Sequence, residues 1–326
     1  MRAEVAFSAE DLALARFAVS PMWQTVSAYR MLTRPGSPAP YRRWLVATRP
    51  AVRDAGLTRG WLAELVPAHG YLADFLTPFP RGGLEDELAA IRGTDPDRVG
   101  RELDMLAAER ASLDLRRVDA LRHDPAAVLP EITDEITAFW DLAIAPHWPR
   151  IRSVLEADVL HRARQVAEHG TGHVLTELHE TVTWDDGSLR LVARHCQIAR
   201  DDTGEGLLLL PNAFAHDAVL TRAVPPEPPQ LSYPARGSGS LFEPADLLRV
   251  DALAGVLGRT RAAVLAALDV PTSTTGLSHL LGISPACVSA HLTAMRDAGL
   301  VRAHRAGRSV LYARTDAADA LLAPTR

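Results

Sequence analysis

Five histidines and a cysteine crowd one stretch of the chain: His161, His169, His173, His179, His195 and Cys196. Imidazole and thiolate together suit zinc or nickel. The spacing argues against that use. His161 and His169 stand eight residues apart on a helical pattern, about two turns. The others straddle the ends of a hairpin pattern, and no C-x-x-C is present. Histidines that cap elements or face solvent fit better, so neither a metal site nor a cofactor is expected. Cys287 sits beside an apolar stripe and reads as a small packed residue.

Enzyme chemistry has no better foothold. G-x-S-x-G, H-E-x-x-H, a P-loop and G-x-G-x-x-G are all missing in a usable frame. Gly237-Ser-Gly239 has no third glycine and no strand–helix setting, so it is a spacer. The aromatics Trp23, Trp44, Trp61, Trp140, Trp148 and Trp184, with Phe75, Phe79 and Phe139, would either line an apolar effector pocket or fill a helical core. Core is the favoured reading of each, and a small-molecule effector in the N-terminal domain stays open.

Hydroxyls and arginines after residue 270 offer chemistry of another kind. Ser284-Pro285 pairs an N-cap serine with an N1 proline, a strong helix start. Along that helix Val288, Leu292 and Met295 fall at i, i+4, i+7 and form the side to be buried. Ser289, Thr293 and Arg296 repeat the spacing one residue later and form a polar face. Just before it, Leu277, Leu280 and Leu281 share one face of a short helix that follows several N-cap candidates in Pro271–Gly276. Gly282 lets the chain turn and Ile283 is the buried residue of the turn. A helix, a tight glycine turn and a helix with a small polar face make a helix-turn-helix. Leu300–His304 and Ser309–Ala313 then alternate as strands, joined by Arg305-Ala-Gly-Arg308. That is a wing, whose turn aims Arg305 and Arg308 at a phosphate backbone or a minor groove.

These residues need elements to hold them. The expected fold is mainly α with small β (α+β): a C-terminal winged helix-turn-helix behind a larger, mostly helical domain with a β-hairpin. The domains are placed at 1–222 and 241–326, joined by a connector at 223–240. Five prolines from Pro225 to Pro234, then Gly237 and Gly239, allow neither a helix nor a central strand there. Upstream, Ser8–Asp11 resembles a capping box opening a helix through Ala13–Arg30, interrupted at Pro21. Further helical patterns cover about Gly60–Leu76, Leu84–Ile91, Val99–Ala111, Ile132–Ile144 and Trp148–His169. His179–Trp184 and Leu189–His195 flank Asp185-Asp186-Gly187 as a hairpin, and Gly206–Pro211 is a buried third strand of a small antiparallel sheet.

Composition narrows the partners. All 35 basic residues are arginine, a global bias with a local consequence: any phosphate contact falls to guanidinium forks or small polar groups. A net charge of −5 rules out a uniformly basic coat. From Ser240 onward, however, 9 arginines face 7 acids, so the basic excess lies in the smaller domain. No run of about 18 apolar residues could span a membrane. No apolar stretch follows Met1-Arg2-Ala3-Glu4, and two cysteines make no disulfide framework. A cytoplasmic protein without a signal peptide is expected.

The stretch Ile283–Arg302, followed by Arg305–Tyr312, resembles the winged helix of ArsR/SmtB-type bacterial transcription regulators. Ser284, Val288, Ser289, His291, Leu292, Leu300, Val301, Gly307, Arg308 and Tyr312 carry the likeness. The layout is similar to the subgroup with a long N-terminal domain of unassigned function, through Phe7–Leu12, Pro149–Arg152, Leu155–Arg164 and Ser232–Gly237. The resemblance implies a homodimer on double-stranded DNA, reading a two-fold symmetric operator with one helix per half-site, and repression relieved by an effector. It implies DNA contacts from Thr274, Thr275, Ser284, Pro285, Ala286, Ser289, His291, Thr293, Arg296, Arg302, Arg305 and Arg308. The family's metal sites are not matched: the helix before the reader has no cysteine, and Asp316–Leu322 has Asp316 and Asp319 without histidine. Ala290 stands where a larger polar residue, arginine or glutamine, is often found, and Gly276 where glutamate is usual. The alternative is a ligand- or protein-binding module whose winged helix mediates assembly.

Overall fold

The first long helix begins where a serine precedes a proline. Ser20 accepts a hydrogen bond from the Trp23 amide, and Pro21 opens α1, Pro21–Thr33. The expected helix over Ala13–Arg30 is therefore corrected. Arg16–Phe17 is a strand, and Pro21 starts the helix rather than interrupting it, because proline loses nothing at N1. The structure is a computed structural model. It describes all residues except 1, 7–10, 12, 111–112, 186–187, 193–205, 217–218, 223–226, 243–252, 269, 307–308 and 323–326. The proposed capping box at Ser8–Asp11 lies mostly outside the described residues.

Eight helices follow α1 before the first hairpin, counted among the described residues: α2 Arg42–Asp54, α3 Trp61–Leu65, α4 Leu84–Arg92, α5 Pro96–Glu109, α6 Leu115–His123, α7 Pro125–Ala143, α8 Trp148–His169 and α9 Thr171–Thr176. The helix expected over Gly60–Leu76 stops at Leu65. Pro67 cannot continue it, Gly70 turns at φ 85°, and only a 3-10 turn at Asp74–Leu76 follows. Helices α2, α6 and α9 went unforeseen. Helix α2 has Pro50 inside it, yet its Trp44, Leu45, Thr48 and Val52 are buried, so tertiary packing outweighs propensity there.

Two small sheets complete this part. Strands β1 Arg2–Ala6, β4 Ser188–Val192 and β3 Val182–Asp185 pair antiparallel in that order, so the hairpin forms as expected and gains an N-terminal partner. Strand β5, Leu208–Asn212, is the expected buried strand in a different sheet. It lies parallel to β2, Arg16–Phe17, and to β7, Gln230–Pro234, and β6, Leu220–Arg222, closes the other edge. Strand β7 is an inner strand cut from the proline-rich segment, which corrects the exclusion of a central strand. Gln230, Leu231, Ser232 and Tyr233 carry the ladder amides, and proline enters only at the last position, Pro234. Leu231 and Tyr233 face an apolar cluster with Leu209, Val174, Leu175 and Val182.

The aromatics in question are mostly core: Trp23, Trp44, Phe75, Phe139 and Trp140 are all buried. The chain divides into two compact units, Met1–His147 with His161–Ala235, and Trp148–Leu160 with Arg236–Arg326. The second unit takes the first half of α8, which the division read from the sequence had left whole in the N-terminal domain. The Arg150 guanidinium donates to the Ser240 carbonyl at 3.1 Å, and the Arg236 amide donates to Asp158 at 3.1 Å. Such long-range bonds have no local signal.

Candidate nucleic-acid interface

In the second unit, Arg259–Ala267 forms α10, Thr272–Ser273 forms β8, Thr274–Leu281 forms α11 and Pro285–Asp297 forms α12. Strands β9, Val301–Ala306, and β10, Ser309–Arg314, pair antiparallel, and Asp316–Leu322 ends the described chain as α13. The short strand β8 adds to the outer edge of β10 as a third strand, a pairing of two residues that the sequence does not announce.

Helices α11 and α12 each start on a serine cap. The Ser273 hydroxyl accepts from the Gly276 amide at 3.1 Å, and Ser284 accepts from the Cys287 amide at 3.3 Å. Gly276 has a packing reason: a Cβ there would lie 2.8 Å from the Thr272 methyl. Gly282 sits at φ 65°, the left-handed turn between the helices, and the Ser278 hydroxyl bonds across it to the Ile283 carbonyl at 2.6 Å. Val288, Leu292 and Met295 enter a core with Val264, Leu265, Leu268, Leu277, Val301 and Ala318. Packing that many apolar groups fixes the outward face of α12. Leu280, expected beside Leu277, is instead 50% exposed, and Ile283 is only half-buried.

The predicted contact residues separate into groups. Ser284, Pro285, Ala286, Ser289, Thr293 and Arg296 are all exposed on α12. Thr275 is exposed and Thr274 half-buried at the start of α11. His291 is half-buried, with Nε2 3.4 Å from the Cys287 sulfur. Arg296 lies 3.5 Å from Asp297. Arg302 and Arg305 are exposed on β9, joined by His304, which was not singled out for this role. Arg308 and Gly307 lie outside the described residues. Ala290, set aside as a missing contact, is exposed on the same face as Ala286 and Thr293. Helical geometry would have found it, since it stands opposite the Val288–Leu292–Met295 stripe.

The N-terminal unit handles charge in the opposite way. Arg222, 2% exposed, bonds Glu227 and donates to the Thr77 carbonyl at 3.0 Å. Arg98 reaches Glu102 at 2.7 Å and Glu227 at 3.4 Å. Burial, then the nearby Glu102, pushes the Asp74 carboxyl up to about 7, and burial pushes Arg222 down to about 10. Glu87 is pushed up to about 8 by burial while it accepts from the Ser20 hydroxyl and the Met22 amide. Asn212, fully buried, donates to Ser27 at 2.7 Å and Ser232 at 2.9 Å. These groups tie helix, loop and sheet together.

The late histidines stay apart from this network. His169 and His173 have ring centres 5.0 Å apart, an H-x-x-x-H spacing that the reading of these histidines as caps or solvent groups passed over, and Gly170 at φ 83° separates them into α8 and α9. His173 pairs with Glu177 at 3.4 Å. Among the described residues no three His, Cys, Asp or Glu groups assemble around a common point; His195 and Cys196 lie outside them.

Comparison with known proteins agrees with this geometry. The model for bacterial regulatory proteins of the arsR family matches residues 260–303, from α10 through the first residues of β9. The C-terminal part is an arsR-family helix-turn-helix domain. A family of unknown function, DUF5937, matches residues 89–239 ahead of it. An arsR-family domain on a mainly helical chain makes this a DNA-binding transcription regulator. No curated protein and no solved structure matches the chain. No helix among the described residues is long and apolar enough to cross a membrane.

Proposed function

We propose that this arsR-family regulator binds a two-fold symmetric operator as a homodimer and represses transcription in the cytoplasm until a small molecule engages the N-terminal domain. Helix α12 enters the major groove. Ser284, Pro285, Ala286, Ser289 and Thr293 face the bases there, Thr274, Thr275, His291 and Arg296 flank them, and Arg302, Arg305 and Arg308 hold the backbone or minor groove. The observation that carries this reading is the face separation of α12, apolar side packed and polar side exposed, directly ahead of an arginine-bearing hairpin. It favours DNA over a protein partner, since α12 exposes no large hydrophobic side chain. Val256 and Leu321, 83% and 50% exposed in the same unit, supply apolar surface for self-association. The chain carries no catalytic role in this proposal. The effector would be sought at the cleft where Ser27, Arg30 and Met31 of α1, with Arg34 just beyond its end, meet Phe214 and His216.

The test is a gel-shift series across salt concentrations. Replacing Arg305 and Arg308 with alanine should weaken binding to every sequence and reduce the salt slope by roughly one per arginine. An unchanged slope would remove the wing from the interface.

A further inference from the structure

We infer that α12 recognises thymine, through the exposed methyl groups of Ala286 and Ala290; this rests on the DNA-reading function proposed above. The base pairs present distinct donor and acceptor patterns in the major groove, and reading guanine or adenine by a paired hydrogen bond takes Arg, Lys, Asn or Gln. From Ser284 to Ala294 the helix has none of these. Its first guanidinium, Arg296, stands in the last turn beside Asp297 at 3.5 Å. His291, the one aromatic ring in that stretch, is half-buried, with Nε2 3.4 Å from the Cys287 sulfur.

The groups left on the outward face are of two kinds. Ser289 and Thr293 present hydroxyls, which both donate and accept and therefore discriminate weakly. The Ser284 oxygen is already the acceptor for the Cys287 amide. Ala286 and Ala290, one helical turn apart, present methyl groups directly opposite the buried stripe. The thymine C5-methyl is the one feature of the major groove that an alanine methyl distinguishes by contact. Short side chains on this face also let the helix backbone sit close to the base edges. The wing points the same way. Arg302, His304 and Arg305 are exposed on β9, and cationic side chains are drawn to the narrow minor groove of A·T tracts. Each half-site should thus carry thymine where Ala286 and Ala290 lie, with A·T pairs under the wing.

The full-length protein is used to select duplexes from a random library. Thymines in each selected half-site are then replaced singly by deoxyuridine, which keeps the base pair and removes only the methyl. Binding should fall about four-fold per contacted methyl, the fold-change for one buried carbon group. Replacing cytosine by 5-methylcytosine at a cytosine-substituted site should restore part of it. Ala290→Gln should abolish the uracil effect at its position and shift selection there toward adenine. Specific binding that is indifferent to every uracil substitution, or selected half-sites without thymine, overturns the inference and leaves the DNA-reading function standing. A library that yields no preferred sequence overturns both.

Discussion

Helices α1 and α12 both begin with Ser-Pro, and both place a serine oxygen on a backbone amide three residues on. Their later residues diverge. Helix α12 buries Val288, Leu292 and Met295 and keeps its hydroxyls in solvent. Helix α1 is buried from Pro21 to Leu32, including Gln24, Thr25, Ser27 and Arg30. A polar group in water keeps bonding capacity for a ligand. A polar group in a core must satisfy it internally, because an unpaired one costs about 1–3 kcal/mol. The contrast sets similar residues in different roles: the outward polar face of α12 keeps its bonding capacity, as the proposed DNA contact requires, and the inward polar face of α1 specifies one packing of helix on sheet.

The largest expected effect breaks the buried side of that contrast. Arg222→Ala would remove the more deeply buried of the two cations beside Asp74, Glu102 and Glu227 and leave them only Arg98, at a cost of about 3 kcal/mol. Five of the six tryptophans lie in the unit that holds Arg222 and only Trp148 lies in the other, so tryptophan fluorescence of a Trp148→Phe background during urea unfolding reports on the part that holds Arg222. That transition should move to lower urea, while the winged helix keeps its own. If fluorescence and helicity shift together as one transition, the two parts do not unfold separately and the contrast loses its force.

How much of this was legible differs between the two parts for the same reason. The winged helix is built from neighbours in sequence: Ser284-Pro285, Gly282 and the apolar triad of α12 all act within a few residues. Their roles could be read locally, down to the left-handed turn. Leu280 could not be, because its exposure depends on where α11 lies against α12 and not on its own periodicity. In the N-terminal part the decisive partners are distant. Strand β7 exists because Leu231 and Tyr233 find Leu209 on the neighbouring strand and Val174 on α9, and nothing within the proline-rich segment says so. Ser20-Pro21 had the same local signature as Ser284-Pro285. It was obscured by the apparent capping box upstream.

Acidity offers a second, smaller test. Burial lifts Glu87 from 4.5 to about 8, so between those values the folded chain holds a proton that the unfolded chain releases. Its stabilisation is full below about pH 4.5 and is lost as pH rises through about 8. Glu87→Gln keeps an acceptor for Ser20 and Met22 but no longer titrates. Thermal melts should therefore show the variant gaining on the wild type from pH 5 to 8, by several degrees at the top. Asp74, lifted from 3.8 to about 7, contributes with the same sign and remains, so the slope should flatten only in part. A pH-dependent loss confined to the winged helix would contradict the contrast.

The smallest effects compare the two caps directly. Ser284→Ala removes one exposed acceptor from α12 and should cost about 1 kcal/mol. Ser20→Ala removes the matching acceptor from α1 and also the donor that meets Glu87 at 2.9 Å inside the core. The loss there should be larger, about 2 kcal/mol, because the buried carboxyl keeps its need for a partner. Raising the pH should widen the gap, since an ionised Glu87 needs that hydroxyl more than a neutral one does. Equal costs at every pH would mean that the two serines act only as caps, and that burial adds nothing to a motif the chain uses twice.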